Sequence, residues 1–217
     1  MRRLPLLIAL HLLAIFVAAS GIPGQTLYLG STVGVNYSFF KFYPPDNAFH
    51  SPLYFIGGLQ GDYHFTPKWA MKMQVLFVPK QIHKTITVSL GDIPRPYSQS
   101  YSFQFLEIPI CAKLRIGNEN NFRPYVFSGP SFAILLSATE KSQLDGSPEE
   151  VVNVTNELPG TDLGFIFGIG LDYVVKSGLT IFAEAAARYG FSNLEYTEGP
   201  MHARDLRLNA GILSALP

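Results

Sequence analysis

DLGFIFGIGLDYV, residues 162–174, alternates side-chain character at a strict period of two. Leu163, Phe165, Phe167, Ile169, Leu171 and Tyr173 fall on one phase; Asp162, Gly164, Ile166, Gly168, Gly170 and Asp172 fall on the other. A period of two is the signature of an extended strand, in which successive side chains point to opposite faces. One face here is large and apolar and the other holds both acids, which suits a sheet with lipid outside and a polar interior.

Working outward, the same pattern predicts strands at 26–38, 53–65, 69–78, 102–116, 179–189 and 205–213, with one more at 123–137 whose two faces are both apolar, so that its phase is not legible. Pro109 lies inside the fourth strand and predicts a bulge or a local break, because proline donates no ladder hydrogen bond. The connections alternate in length. Residues 66–68, 117–121 and 175–178 are short and rich in Pro, Gly, Asn or Ser, whereas 39–52, 79–101, 138–161 and 190–204 are long. Short turns at one end and long loops at the other are the transmembrane-barrel arrangement. The expectation is an all-β protein: a single antiparallel up-and-down transmembrane β-barrel of about eight strands, with both termini periplasmic and the long loops extracellular.

Charge placement supports this polarity. Asp62, Lys72, Glu107, Lys113, Arg115, Asp162, Asp172, Glu184, Arg188, Asp205 and Arg207 all lie on the polar phase of their strands. A lipid-facing Arg or Lys near the bilayer midplane costs about 2 to 4 kcal/mol, so these groups are expected to face a lumen and to pair there.

The chain of 217 residues fits one domain, and its 16 basic and 16 acidic residues leave no net field to attract nucleic acid. It begins with Arg2 and Arg3, an apolar run over 4–17, then Ala18, Ala19, Ser20 and Gly21, the order of a secretory signal. Residues 1–24 are assigned to that signal, with cleavage between Ala19 and Gln25, and 25–217 to the barrel. Cys111 is the single cysteine, which excludes an internal disulfide and a four-cysteine metal site. Trp69, Tyr28, Tyr63, Tyr173 and Tyr189 are candidates for interfacial aromatic girdles.

The segments FLEIPICAKLRIG from Phe105, FRPYVFSGPSFAILL from Phe122, DLGFIFGIGLDY and AEAAARYGFSNL resemble the PorT-like outer-membrane barrels common in Bacteroidota. The matching positions are Leu106, Glu107 and Pro109, then Pro124, Tyr125, Gly129 and Pro130, then Arg188 and Tyr189. The resemblance implies an outer-membrane barrel and, through the founding member, an accessory role in protein secretion. One departure is the last residue, Pro217, where many such barrels end in an aromatic.

Catalytic patterns are sparse. Lipid A deacylases carry a His-x-Ser-Asn motif near the penultimate strand; here Phe191, Ser192 and Asn193 follow Gly190, so the histidine that would activate the serine is missing. His50, His83 and His202 fall in expected loops without a close-spaced ligand partner, and His64 shares a face with Asp62. Neither an enzyme nor a cofactor or metal is therefore expected. Glu107, Lys113, Arg115, Glu184 and Arg188 form the candidate lumen charge network, either as salt bridges filling a narrow barrel or as an ion path. The expected partners are outer-membrane lipid and proteins met by the extracellular loops. A secreted soluble barrel, with the apolar phase turned inward around a ligand, is the competing architecture.

Overall fold

The computed structural model describes residues 26–42, 49–90, 93–117, 121–145, 147–191 and 201–216. The signal segment expected at 1–24, the motif residues Ser192 and Asn193, and Pro217 lie outside these. Ten strands follow in order: β1 (Thr26–Phe42), β2 (Phe49–His50), β3 (Leu53–His64), β4 (Trp69–Leu90), β5 (Ile93–Arg115), β6 (Phe122–Leu144), β7 (Glu150–Asn153), β8 (Thr161–Lys176), β9 (Leu179–Gly190) and β10 (Met201–Ala215). All pairings are antiparallel. The order β4-β3-β1-β10-β9-β8-β6-β5, with β5 returning to β4, closes eight of them into a barrel. β2 and β7 are short additions beside β4 and β6.

The tight connections are built from their own residues. Between β3 and β4 the Thr66 hydroxyl accepts the backbone N–H groups of Lys68 and Trp69 at 3.3 and 2.9 Å, a side chain standing in for a turn carbonyl. Gly178, at φ +80°, closes β8 onto β9, a backbone conformation that favours glycine. Tyr28 pairs with Ala215, so the strands nearest both chain ends meet at this same turn end.

At the opposite end the barrel departs from the expectation. Residues 79–101 are not a loop: β4 runs to Leu90 and returns as β5 from Ile93, pairing Leu90 with Ile93 at the tip. With 22, 23 and 23 residues, β4, β5 and β6 far exceed the 12 of β3 and the roughly 9 to 11 that a membrane-spanning strand needs. The three extend together as a fin, with β2 and β7 at its margins. Alternation through Lys80, Gln81, Ile82 and His83 carries the strand past Pro79 and outweighs the punctuation of Gly91, Pro94 and Pro96. His83 thus sits in a strand, as do His50 and His202.

Pro109 breaks the ladder without a bulge. Pairing of β5 with β6 skips Ile110 and Cys111 but resumes in the same register at Ala112. The register shift instead lies between Gln104 and Phe105, where β6 carries Leu136 as an extra residue. That insertion keeps Ala138 and Leu135 both buried, although an unbulged strand would place them on opposite faces.

The polarity of the wall is lipid-type. Phe167, Ile169, Leu206 and Leu208 are exposed, while Asp62, Asp172, Glu107, Lys113 and Arg188 are fully buried. A soluble barrel with apolar residues inside is therefore excluded. The phase of β6 is settled: Tyr125, Phe127 and Ser131 point inward, and Val126, Ser128 and Phe132 outward. Their neighbours on β8 explain it, because a Cβ at Gly168 or Gly170 would strike the Phe127 or Tyr125 ring. Glycines on the inner phase of β8 thus leave room for large inward rings on β6.

Trp69, Tyr173 and Tyr189 are exposed on the outer wall as girdle residues. Two other candidates are not. Tyr28 sets its ring edge-on against the inner His64, centroids 5.2 Å apart. Tyr63 keeps the outer phase of Leu59 and Phe65 but is buried in an apolar cluster with Leu27, Met73 and Ile108.

Because Phe167 faces outward near the middle of β8, Phe167→Arg is expected to destabilise the barrel by about 2 to 4 kcal/mol in lipid vesicles. Equilibrium urea unfolding checks this; a neutral Phe167→Arg would mean that the outer face does not meet hydrocarbon.

Candidate functional site

The inner face is stratified along the barrel axis. At the turn end, Lys113 reaches Asp62 at 2.7 Å and Asp172 at 2.9 Å, and Arg115 shares Asp172 at 3.3 Å. The Lys113 ammonium also stands over the Tyr125 ring, 3.8 Å from its centroid. These groups come from β3, β5, β6 and β8, so the pairing ties opposite walls of the barrel together.

The middle layer centres on Glu184 of β9. It pairs with Lys72 and accepts further hydrogen bonds from Gln74 (3.1 Å), Tyr125 (3.1 Å) and Asn209 (3.1 Å). Gln74 in turn donates to Gln60 at 2.7 Å, and Gln60 to Asp62 at 3.0 Å, linking this layer to the one below. Lys72 lies 4.0 Å from the centroid of the Phe127 ring, a cation over an aromatic face.

Above it, Glu107 of β5 receives a two-pronged bond from Arg207, with both contacts at 2.7 Å. Bidentate guanidinium–carboxylate pairs are among the strongest charge-assisted contacts. Arg207 also touches Asp205 at 3.0 Å, and Asp205 holds Lys80 at 2.7 Å. Arg188 lies 3.4 Å from Glu107 and 2.8 Å from Asp162, with Ser131 bonded to both Arg188 and Glu107. Gly164 on β8 makes this possible: a Cβ there would come within 3.0 Å of the Arg188 guanidinium carbon.

Toward the fin the interior becomes apolar. Leu76, Val78, Phe103, Phe105 and Leu135 are buried, and Val154 and Leu158, from the chain between β7 and β8, pack into the same cluster. Thr155 holds that segment by donating to the Ala138 carbonyl and accepting its N–H, at 3.2 and 2.8 Å.

Of the five network residues singled out from the sequence, Glu107 and Arg188 pair directly, Lys113 and Arg115 share Asp172, and Glu184 belongs to the middle layer. They occupy three layers, of which the lower two are joined by Gln60, Gln74, Asp62 and Tyr125. Lys80 was missed because it sits in a segment read as loop, and it supplies a sixth base where the sequence reading counted five against six acids. Its signal was present in the alternation with Val78 and Ile82. Cys111 is buried and free. Among the described residues no group of three His, Cys, Asp or Glu side chains could hold a metal ion.

A closed antiparallel barrel with an apolar outer wall and a paired, charged interior defines a small β-barrel of the outer membrane. The chain belongs to the outer membrane protein beta-barrel domain family, whose model matches residues 23–196. It is similar in structure to Neisserial surface protein A (13% identity, 88% of this chain and 98% of that one, TM-score 0.48). OprG of Pseudomonas aeruginosa is similar at 12% identity over 89% and 96% of the two chains, TM-score 0.47. Ail, the attachment invasion locus protein of Yersinia pestis, is similar at 16% identity over 86% and 97%, TM-score 0.42. No curated protein matches the sequence.

Lys80→Met is expected to destabilise the barrel by about 1.5 to 3 kcal/mol, since it removes one charge-assisted bond from the buried Asp205, which keeps Arg207. Lys141→Met, which removes the exposed pair with Glu149, should change stability by less than about 1 kcal/mol. Equal effects of the two in urea unfolding would contradict the interior placement of Lys80.

Proposed function

We propose that this outer-membrane barrel is a sealed, non-catalytic element with a structural or accessory role, carrying its fin on the extracellular side and both termini on the periplasmic side. The observation that carries this reading is the filled interior. Three layers of paired side chains, rising from the turn end, and an apolar cluster toward the fin occupy the lumen, in keeping with eight-stranded barrels whose bore is only wide enough for side chains. The alternative of an ion path through the same charges is disfavoured, because each of these carboxylates is already engaged by a cation and a passing ion would have to displace it.

The orientation is supported by the tight turns and chain ends sharing one rim, the arrangement of short periplasmic turns opposite long extracellular elements. The non-catalytic reading is supported by Gly190 standing where a lipid A deacylase-like site would need its histidine. The link to secretion rests on the PorT-like resemblance. Two of its motif positions, Glu107 and Arg188, form a buried pair, which gives the motif a structural use in this barrel.

In planar bilayers the purified barrel should show no steady channel current above baseline; large, persistent openings would overturn the sealed reading. In the native organism, deletion should reduce the export of secreted proteins while leaving lipid A unchanged. Normal export with altered lipid A acylation would favour the enzyme instead.

A further inference from the structure

His50 and His83 are far apart in sequence, yet the pairing of β2 with β4 sets them directly opposite each other. Residues opposite one another on antiparallel strands share a face, with Cβ atoms about 4.5 to 5.5 Å apart. Two imidazoles at that spacing can meet on one ion, since a zinc–nitrogen bond is about 2.0 to 2.1 Å long. The pair lies at the base of the fin, past the point where the pairing of β3 with β4 ends at Gly57 and Phe77.

The face around the pair selects the kind of ion. On β4, His83 is exposed and shares its phase with Gln81 and Thr85, whereas Lys80 and Ile82 on the other phase are buried. The β5 positions across from this phase are Ser98, Ser100 and Ser102. These neighbours carry no charge that would repel a dication and no carboxylate that would draw calcium or magnesium. Imidazole ligands suit copper, nickel and zinc, of which copper(II) is held most tightly.

The His83 ring is also held in place. Its Nε2 lies 3.1 Å from the Thr85 hydroxyl, which stands 3.5 Å from the Ser98 hydroxyl. With its own hydrogen turned to Ser98, Thr85 accepts the Nε2 hydrogen and leaves Nδ1 as the metal-binding nitrogen. A hydrogen bond from the second ring nitrogen is the usual support of a metal-bound histidine. We propose that His50 and His83 form a surface site for a divalent transition-metal ion, copper(II) above all, with solvent completing its coordination. Two side chains and water suffice, so the site does not need the three-residue cluster that the described residues lack. The ion staples β2 to β4, which pair only through Phe49 with Lys84 and His50 with His83.

The test uses the untagged, folded full-length barrel in detergent, where metal binding does not depend on whether the lumen is sealed. Copper(II) alone is titrated and followed by calorimetry and by electron paramagnetic resonance. A saturable site with hyperfine coupling to two imidazole nitrogens is expected, and excess calcium should not displace the copper. Outer-shell partners of metal-bound histidines are worth roughly 10- to 100-fold in affinity. His50→Gln and His83→Gln, each losing a ligand itself, should therefore weaken copper(II) at least about tenfold, and His202→Gln should leave it unchanged. Coupling to a single imidazole, displacement by calcium, or a loss seen only in His202→Gln would overturn the proposal, as would affinity kept in either His50→Gln or His83→Gln. The spectrum of the unaltered protein needs no variant to fold.

Discussion

Everything in this barrel follows from the cost of a charge in the wrong place. Six carboxylates and their cations are built into strands that also carry the lipid-facing residues, and a strand has only two faces. Putting Arg188 or Arg207 toward hydrocarbon would cost about 2 to 4 kcal/mol each near the midplane, against a typical whole-protein stability of about 5 to 15 kcal/mol. The charges must point inward, and once inside they must find one another. Register is thereby fixed as well, because a slip of one residue would exchange the two faces of a strand.

The interior solves the second requirement by sharing. Asp172 serves Lys113 and Arg115, Asp205 serves Lys80 and Arg207, and Glu107 serves Arg207 and Arg188. Neutral groups finish what the ions leave open, as Ser131 does between Glu107 and Arg188. Buried pairs of this kind are not necessarily more stable than an apolar filling, but losing one partner is severe. Such a lattice punishes misregistered strands strongly, which suits a closed barrel whose eight pairings must all agree. On the sealed reading proposed above, the described side chains fill the lumen, and function falls to the two rims.

The sequence revealed the barrel because alternation along 162–174 and the alternating connection lengths are local properties. The members of the charge network were legible for the same reason: each acid or base lies on the polar phase of its own strand. Their pairing was not, since Glu107 meets Arg207 one hundred positions away and no spacing encodes that. Lys80 was not legible because residues 79–101 read as a long connection, although the alternation through Val78, Lys80 and Ile82 continues. The phase of β6 needed its neighbour: Tyr125 and Phe127 are inward because Gly170 and Gly168 across the ladder leave space for their rings, a complementarity visible only once the register is known. Tyr28 lies on the polar phase, and its aromatic character alone suggested a girdle.

The most direct test of a mutually paired interior is a double-mutant cycle on Glu107→Gln and Arg207→Met, read by reversible unfolding in lipid vesicles. Either change alone leaves a buried charge without its bidentate partner, so each should be strongly destabilising. Together they should lose less than the sum of the single losses, by at least about 1 kcal/mol, within the range seen for residues in contact. Strictly additive losses would contradict the pairing and the packed, charge-matched lumen with it.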